Sequence, residues 1–204
     1  LWSGSGRNAA ERAQLRAATL FSEGLPVPLA ALEAVGIASD VVDPRKAIDR
    51  LIGLGLVDGW GEIRGAEHAA VNPLARSLAG EKLTGEEQSR LAGAAMAPLS
   101  AAWRGSDGEF PHNPQGVEAA RLALMGDAPA DVLEPAAFAA GDFLFSHEHN
   151  ARAALMVLHT AIGRIEKENG SARPQYLLLA SNCAELIGET GLQISLLEKG
   201  LALR

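Results

Sequence analysis

The sequence predicts a mainly α-helical protein with one small β-hairpin near residue 60, followed by a set of antiparallel helical hairpins. Three observations lead to this fold class. Alanine and leucine dominate the 204 residues while aromatic residues make up only 4%, and these two residues are among the best helix formers. Gly and Pro divide most of the chain into segments with apolar residues at helical spacing. Only the stretch 56–71 has two short runs around a Gly-rich turn, which is typical of a hairpin.

Three helices are predicted before that hairpin. The first covers 8–22, where apolar residues recur at helical spacing before Gly24 ends it. The second starts at Pro28 and ends at Gly36. Proline suits the first position of a helix because a backbone N–H there would have no partner inside the helix. The third starts with Asp43 as N-cap and Pro44 at the first helical position.

The hairpin follows the third helix. Its first strand begins at 56–57, three glycines interrupt the chain between 59 and 65, and 69–71 return as the second strand. Three helices followed by a β-hairpin are the order of a winged helix, which is a helix-turn-helix motif with an added β-wing. We therefore assign residues 1–82 to a winged-helix domain, and we expect a further helix that starts at Pro73.

Residues 83–113 are predicted to form a bridging helix and a linker. Thr84 and Glu87 have the spacing of a capping box, in which each side chain accepts a hydrogen bond from the other residue's backbone N–H. The stretch RGSDGEFPHNPQG begins at Arg104 and is rich in Gly, Pro and Asp. Such a composition predicts an exposed loop or linker.

Residues 114–204 are predicted to form a tetratricopeptide-like array of antiparallel helical hairpins. The segments FAAGDFLFSHEHNARAALMV and LASNCAELIGETG share small residues where such repeats pack two helices closely. Gly141 and Ala184 are the matching positions, and 184 minus 141 gives a spacing of 43 residues. Because the standard repeat has about 34 residues, the second helix of each pair should be longer than usual. We predict helices over 114–124, 131–146, 151–168, 174–188 and 192–204.

The charge distribution disfavours nucleic acid as a partner. The net charge is −7: nine Lys and Arg stand against ten Asp and Glu up to residue 82, and nine against fifteen after it. A protein that binds DNA through its phosphates needs an excess of cations. In an alternative interpretation, Arg45, Lys46 and Arg50 on the third helix contact DNA, since these residue types bind phosphate and guanine. Two aspartates on that helix and two glutamates in the hairpin oppose this interpretation.

No catalytic, metal or cofactor site is predicted in this chain. It contains no G-x-x-x-x-G-K-[ST] phosphate loop and no nucleophile elbow. We therefore expect that the chain alone is not an enzyme and neither binds nor hydrolyses ATP. His147 and His149 lack the further ligands of a metal site, so a solvated turn between helices is the preferred interpretation.

Cysteine content and hydropathy favour a cytoplasmic protein without a membrane segment. The single Cys183 cannot form an internal disulfide, which fits a reducing compartment, and its helical neighbours predict that it is buried. No apolar run approaches the ~20 residues that a membrane span needs. The sequence starts without methionine and ends inside a helical pattern, so we expect a piece of a longer protein.

Three stretches together carry a family resemblance: LRAATLFSEGLPVPLAALEAV, AIDRLIGLGLVDGWGE and HAAVNPLARSLAGEKL. They resemble the winged-helix segment that follows the nucleotide-binding core in STAND-class NTPases, the NB-ARC and NACHT-like signalling ATPases. The helices after them resemble the tetratricopeptide sensor region that many bacterial members carry next. The resemblance implies a regulatory role, exerted through protein–protein contact with an intrachain nucleotide-binding core or with an effector.

The resemblance also implies a role for Asn72. In that family a motif after the wing supplies a His that reaches the bound ADP, and here Asn72 stands in the His position of the stretch 71–74. Asparagine donates and accepts hydrogen bonds but lacks the positive charge that favours a diphosphate. From the residues alone, Asn72 is better explained as the N-cap of the helix expected from Pro73.

The predicted working surface lies on the helical array. The first helix of each hairpin lines the concave side that such solenoids use for binding, and its polar residues Asp142, Asn182 and Glu185 are the candidate partner contacts. The function predicted is therefore that of a non-catalytic sensor or regulatory part of a STAND-like ATPase. A winged-helix transcription regulator with a helical sensing domain and a free-standing helical scaffold are the alternatives.

Overall fold

The computed structural model describes residues 7–168 and 170–203, and this part of the chain is mainly helical with one small sheet. Its first elements are α1 (Arg7–Ala18), β1 (Val27–Pro28), α2 (Leu29–Ala38), α3 (Pro44–Gly53), β2 (Val57–Ile63), β3 (Ala66–Val71) and α4 (Ala75–Leu78). Six longer helices follow: α5 (Gly85–Trp103), α6 (Pro114–Met125), α7 (Ala130–Ser146), α8 (Ala151–Lys167), α9 (Pro174–Leu186) and α10 (Thr190–Ala202).

The chain divides into two compact units. Unit 1 runs up to Trp103 and includes Met125–Asp127, while unit 2 contains Arg104–Leu124 and the residues from Ala128 onward. Helix α5, which was expected as a bridge, packs against α2 inside unit 1.

Helix α2 lies at the centre of unit 1 and contacts α1, α3, α5 and β3. Its sequence LAALEAVGIA has little polar surface, as expected of a helix that is covered on several sides. Gly36 is required there, because a Cβ would collide with the side chains of Gln14 and Pro44. Gln14 is itself fully buried, and its Nε2 donates to the Leu32 carbonyl oxygen at 2.8 Å, which satisfies this amide donor inside the core.

The sheet of unit 1 is antiparallel, with strand order β1-β3-β2. The predicted hairpin is confirmed: β2 and β3 pair from Val57 opposite Val71 to Ile63 opposite Ala66. The register shifts between Gly59 and Gly61, so that a β-bulge interrupts β2. Strand β3 is central, whereas β1 and β2 lie at the two edges.

Strand β1 shows that the prediction of a helix start at Pro28 was wrong. Instead of starting a helix, Val27 and Pro28 form a short strand beside β3, and α2 begins at Leu29. The ψ angle of Pro28 is 136°, an extended conformation. Proline lacks an N–H and is tolerated at a sheet edge. Two residues are also too few for an alternating pattern to be visible in the sequence.

The helix expected from Pro73 is shorter than predicted. Helix α4 starts at Ala75 and consists of a single turn. Gly80, with a φ of 84°, has the left-handed conformation that glycine adopts most readily. The chain therefore leaves the helical path soon after α4, and the longer helix does not form.

Two predicted helix caps are confirmed. Asp43 accepts a hydrogen bond from the backbone N–H of Lys46 at 3.1 Å, with Pro44 as the first residue of α3. Thr84 and Glu87 form the capping box before α5: Thr84 N–H donates to Glu87 Oε2 at 2.7 Å, and Glu87 N–H donates to Thr84 Oγ1 at 3.2 Å. Both helices thus start where the local sequence predicted.

Arg16 of α1 holds the segment that leads into α5. Its guanidinium donates to both carboxylate oxygens of Glu87, at 2.6 and 2.7 Å, and to the backbone carbonyls of Glu81 and Lys82. Because Arg16 donates to the carboxylate, the pKa of Glu87 is lowered to about 2. The capping box therefore also serves as an ion pair between distant parts of unit 1.

This ion pair predicts acid sensitivity of unit 1. The pKa of Glu87 is lower in the folded state than its usual value of 4.5, so the ionised carboxylate stabilises the fold. This stabilisation is complete above pH 4.5 and disappears as the pH falls from there towards 2. We expect Glu87→Gln, which keeps a capping oxygen, to lower the melting temperature at pH 7. The difference from the parent should shrink between pH 4.5 and 2.5. Equal differences at both ends of a pH series of thermal melts would contradict this expectation.

Unit 2 contains successive antiparallel helices. Helix α7 packs on α8, α8 on α9, and α9 on α10, and α7 also contacts α9. The bounds of these four helices agree with the predicted ones within about two residues. Their shared core is formed by apolar residues of α8, α9 and α10, among them Leu158, Tyr176, Leu177, Cys183 and Leu196.

The predicted close contact at Gly141 is present. A Cβ on Gly141 of α7 would lie 2.7 to 2.8 Å from the Cγ and both Cδ atoms of Leu158 on α8. Such distances are shorter than van der Waals contact, so glycine allows α7 and α8 to approach each other. Ala184 of α9, the matching position of the predicted repeat, is fully buried.

The stretch after Arg104 is not a simple exposed linker. Phe110 is only 2% exposed, and the Arg104 guanidinium lies 5.8 Å from the centre of its ring. Gly105 N–H donates to the Glu109 carbonyl at 2.9 Å, which closes a compact loop. Composition predicted an open loop because Gly, Pro and Asp surround the single aromatic residue that anchors it.

Candidate functional site

The first candidate site is the surface of α3 that carries Arg45. Its guanidinium lies among three carboxylates, with Nη1 2.8 Å from Glu67 Oε2 and 3.5 Å from Glu33 Oε1, and Nε 3.3 Å from Asp49 Oδ1. The hydrogen bond from Arg45 lowers the pKa of Glu67, and the same bond raises the pKa of the guanidinium. The three acids outnumber the arginine, so the local charge is negative.

Arg50 is also engaged within unit 1. Its Nη1 donates to Glu11 Oε1 of α1 at 3.0 Å, and Glu11 is 7% exposed. Burial works to raise the pKa of Glu11, but the hydrogen bond from its own backbone and the bond from Arg50 outweigh it, so the pKa is lowered. Lys46 is exposed on the same helix. Of the three candidate DNA contacts, the two arginines therefore already bind carboxylates.

The end of α2 and the turn into α3 expose apolar side chains. Val42 is 99% exposed and Ile37 is 66% exposed. Val42 lies two positions before α3, at the end that a helix-turn-helix motif directs towards bases. This surface thus combines aliphatic side chains with arginines that already bind carboxylates.

Asn72 has both polar atoms of its side chain engaged near the start of α4. Its Oδ1 accepts from the backbone N–H of Leu74 at 2.9 Å, and its Nδ2 lies 3.4 Å from Asp58 Oδ2. The side chain thus caps the turn that precedes α4. Asn72 is not the predicted N-cap of a helix from Pro73, because the N-cap position of α4 is Leu74. The role of Asn72 towards a nucleotide stays a prediction.

Asp142 of α7 was predicted to be an exposed contact for a partner, but the chain itself engages its carboxylate. This carboxylate is not a free surface group: its Oδ2 lies 2.6 Å from Nδ1 of His112, and its Oδ1 accepts from Ser146 Oγ at 3.3 Å. His112 also contacts the Phe138 ring edge-on, with 5.8 Å between ring centres. The loop that the sequence assigned to a linker thus covers part of the predicted concave surface.

Asn182 and Glu185 are exposed on α9, as expected. Neither side chain has a hydrogen-bond or ion-pair partner among residues 7–168 and 170–203. Of the three predicted partner contacts, these two are open to another molecule, and Asp142 is engaged by the chain itself.

A polar cluster around Arg173 was not predicted. Its Nε lies 3.1 Å from Glu134 Oε2 and its Nη1 3.2 Å from Glu109 Oε1, while its guanidinium lies 5.3 Å from the Tyr176 ring centre. Glu134 also accepts from the Arg173 backbone N–H at 2.8 Å, at the start of α9. The partners are 39 and 64 residues away in the chain, so no local pattern could have revealed them.

The remaining candidates have structural explanations. His147 and His149 lie exposed in the turn after α7, as predicted. Cys183 is fully buried, which confirms the prediction, and burial raises the pKa of its thiol to about 11. Over the described residues, no group of three or more His, Cys, Asp or Glu side chains is placed to hold a metal ion. No helix in that part of the chain is long and apolar enough to cross a membrane.

No family model matches the chain, and no curated protein or solved structure matches it either.

Proposed function

We propose that this chain is the non-catalytic regulatory or sensor part of a STAND-like signalling ATPase and acts through protein–protein contact. In this proposal unit 1 is a winged helix, which the order α1, α2, α3 and the β2–β3 hairpin supports. Unit 2 is a tetratricopeptide-like array, which the succession of antiparallel helices α7 to α10 supports. The family named in this proposal comes from the resemblance of the N-terminal stretches to STAND-class NTPases.

The observation that carries the proposal is the neutralised surface of α3. Arg45 faces Glu33, Asp49 and Glu67, and Arg50 is bound by the buried Glu11. A DNA-binding helix gains affinity by releasing counterions from phosphates, which requires arginines that are free to bind them. Here each arginine would first have to leave a carboxylate. Protein packing therefore fits this helix better than DNA recognition does.

The mechanism we propose is a two-state docking equilibrium. The winged helix binds a nucleotide-binding core in one state and leaves it in the other, and a partner bound to the helical array favours one of the two states. Such coupling requires only that the partner has different affinities for the two states. The exposed Asn182 and Glu185 are the partner contacts in this proposal, and no step of it needs catalysis by the chain itself.

DNA binding separates this proposal from the transcription regulator. We expect no binding of nanomolar protein to fluorescent double-stranded DNA of mixed sequence at about 0.15 M salt. The double variant Arg45→Ala, Arg50→Ala should give the same result as the parent. A nanomolar affinity that this double variant abolishes would favour the regulator and overturn our interpretation of α3.

The coding sequence upstream of Leu1 tests the family assignment. A phosphate loop of the type G-x-x-x-x-G-K-[ST] in the same reading frame would support an ATPase core that this chain regulates. An upstream sequence without such a loop would remove the ATPase from the proposal, and a helical scaffold would then be the better description.

A further inference from the structure

Strand β2 has a free edge. It lies at the border of the sheet, and its pairing runs along one side only, with β3. No other backbone partner of 57–63 occurs among the residues that the structure describes. The residues from Asp58 to Glu62 are all exposed. A row of unpaired N–H and C=O groups in an exposed strand is a template for another extended chain.

Trp60 is placed at the middle of this edge. Its side chain is 56% exposed, and it occupies the bulge, so it has no directly paired residue on β3. Gly59 and Gly61 flank it, so neither neighbour in the strand carries a side chain. A large exposed aromatic side chain of this kind is a frequent anchor of protein interfaces.

The charges on this edge are acidic. Asp58 and Glu62 lie two positions before and after Trp60, and both are exposed. The carboxylate of Glu62 has no partner among the described residues, and Asp58 has only the 3.4 Å contact with Asn72. The one arginine of the hairpin, Arg64, lies in the turn beyond the end of β2.

These charges disfavour a second copy of the chain as the occupant. Two β2 strands that paired antiparallel about Trp60 would bring Asp58 of one copy opposite Glu62 of the other. A parallel pair in register would place each acid opposite itself. Like charges at opposite positions destabilise strand pairing, whereas opposite charges favour it. The edge is therefore complementary to a basic strand.

We propose that the free edge of β2 binds an extended, lysine- or arginine-rich segment of a protein partner by strand addition, with Trp60 as its apolar anchor. The basic side chains would pair with Asp58 and Glu62, and an aliphatic residue between them would cover the indole. This inference deepens the protein–protein part of the proposed function, because it assigns the chemistry of one partner segment.

The test uses a fluorescein-labelled peptide of alternating lysine and valine, capped at both ends, and the anisotropy of its fluorescence on titration with the protein. We expect saturable binding that weakens at high salt. Trp60→Ala should weaken it about tenfold or more, and Glu62→Gln by about threefold with a smaller dependence on salt. Leu78→Ala is the matched control, since it removes another exposed apolar side chain of unit 1 and should leave binding unchanged.

Two further peptides identify the mode of binding. A version with glutamate in place of lysine should not bind, and neither should a lysine–valine peptide whose backbone nitrogens are all methylated, because it cannot donate hydrogen bonds to a strand edge. Thermal melts of Trp60→Ala and Glu62→Gln should match the parent, since both side chains are exposed.

Several results would overturn the inference. These are no saturable binding of the lysine–valine peptide, equal binding of the methylated or acidic peptide, and equal binding by Trp60→Ala. Sedimentation that finds a dimer which Trp60→Ala dissociates would identify a second copy instead. The tests of the proposed function use Arg45, Arg50 and the upstream coding sequence, so the two proposals can fail separately.

Discussion

Phe110→Ala is expected to lower the free energy of unfolding of unit 2 by about 3–5 kcal/mol. The ring is 2% exposed, and the loop around it is closed by the hydrogen bond from Gly105 to Glu109. Truncation to alanine removes the buried ring and leaves a cavity that the loop cannot fill without breaking that bond. If 104–113 were an exposed linker, as its composition predicted, the same change would have almost no effect.

Cys183 provides a readout that is specific for unit 2. The thiol is the only one in the chain and is fully buried, and its raised pKa keeps it protonated in the folded state. Its rate of reaction with a thiol reagent in increasing urea therefore reports unfolding of unit 2 apart from unit 1. Ser106→Ala, at an exposed position of the same loop, is the control and should react as the parent does. Equal reactivity of Phe110→Ala and Ser106→Ala would contradict the packing described for this loop.

The helices were predictable because their signals are local. Asp43 with Pro44, and Thr84 with Glu87, are separated by one and three positions, and their caps form as the sequence indicated. The helices of unit 2 likewise follow from apolar spacing and from the glycines and prolines between them. For such elements, the residues that determine the structure lie within one or two helical turns of each other.

The features that were not predicted depend on residues far apart in the chain. Strand β1 is defined only by its pairing with β3, since Val27 and Pro28 carry no pattern of their own. The contact between His112 and Asp142 joins positions 30 residues apart. Local patterns in a single sequence do not show which distant residues meet. Long-range pairs of this kind therefore had to come from the structure.

The candidate site was predictable in part. The cations of α3 and the acids of the hairpin were both visible in the sequence, and their balance already disfavoured DNA. The ion pairs themselves were not visible. Arg45 meets Glu67 and Arg50 meets Glu11 only because α3 lies beside β3 and α1. The free edge of β2 was equally hidden, because strand order within a sheet is not encoded in any local run of residues.

Gly141→Leu is expected to destabilise unit 2 by roughly 1–3 kcal/mol through overpacking. Any side chain at this position starts with a Cβ 2.7 Å from Leu158 Cγ, and leucine adds three more carbon atoms in the same direction. Helices α7 and α8 would have to separate, or Leu158 would have to leave its rotamer and its place in the core. The gain in helix propensity on replacing glycine, about 0.7–1 kcal/mol, opposes this cost but does not cancel it.

Gly163 of α8 separates the two contributions. A Cβ there would meet no atom within 4 Å, so substitution at Gly163 changes helix propensity without a collision. We expect Gly163→Ala to stabilise unit 2 by about 0.5–1 kcal/mol, whereas Gly141→Ala should gain less or be destabilising, because Leu158 must move. The reactivity of Cys183 in urea measures all three variants on the same scale. If Gly141→Leu and Gly141→Ala unfold at the urea concentration of Gly163→Ala, then α7 and α8 are not in close contact at Gly141. The register of this helical hairpin, and with it the assignment of α7 and α9 to one binding face, would then be wrong.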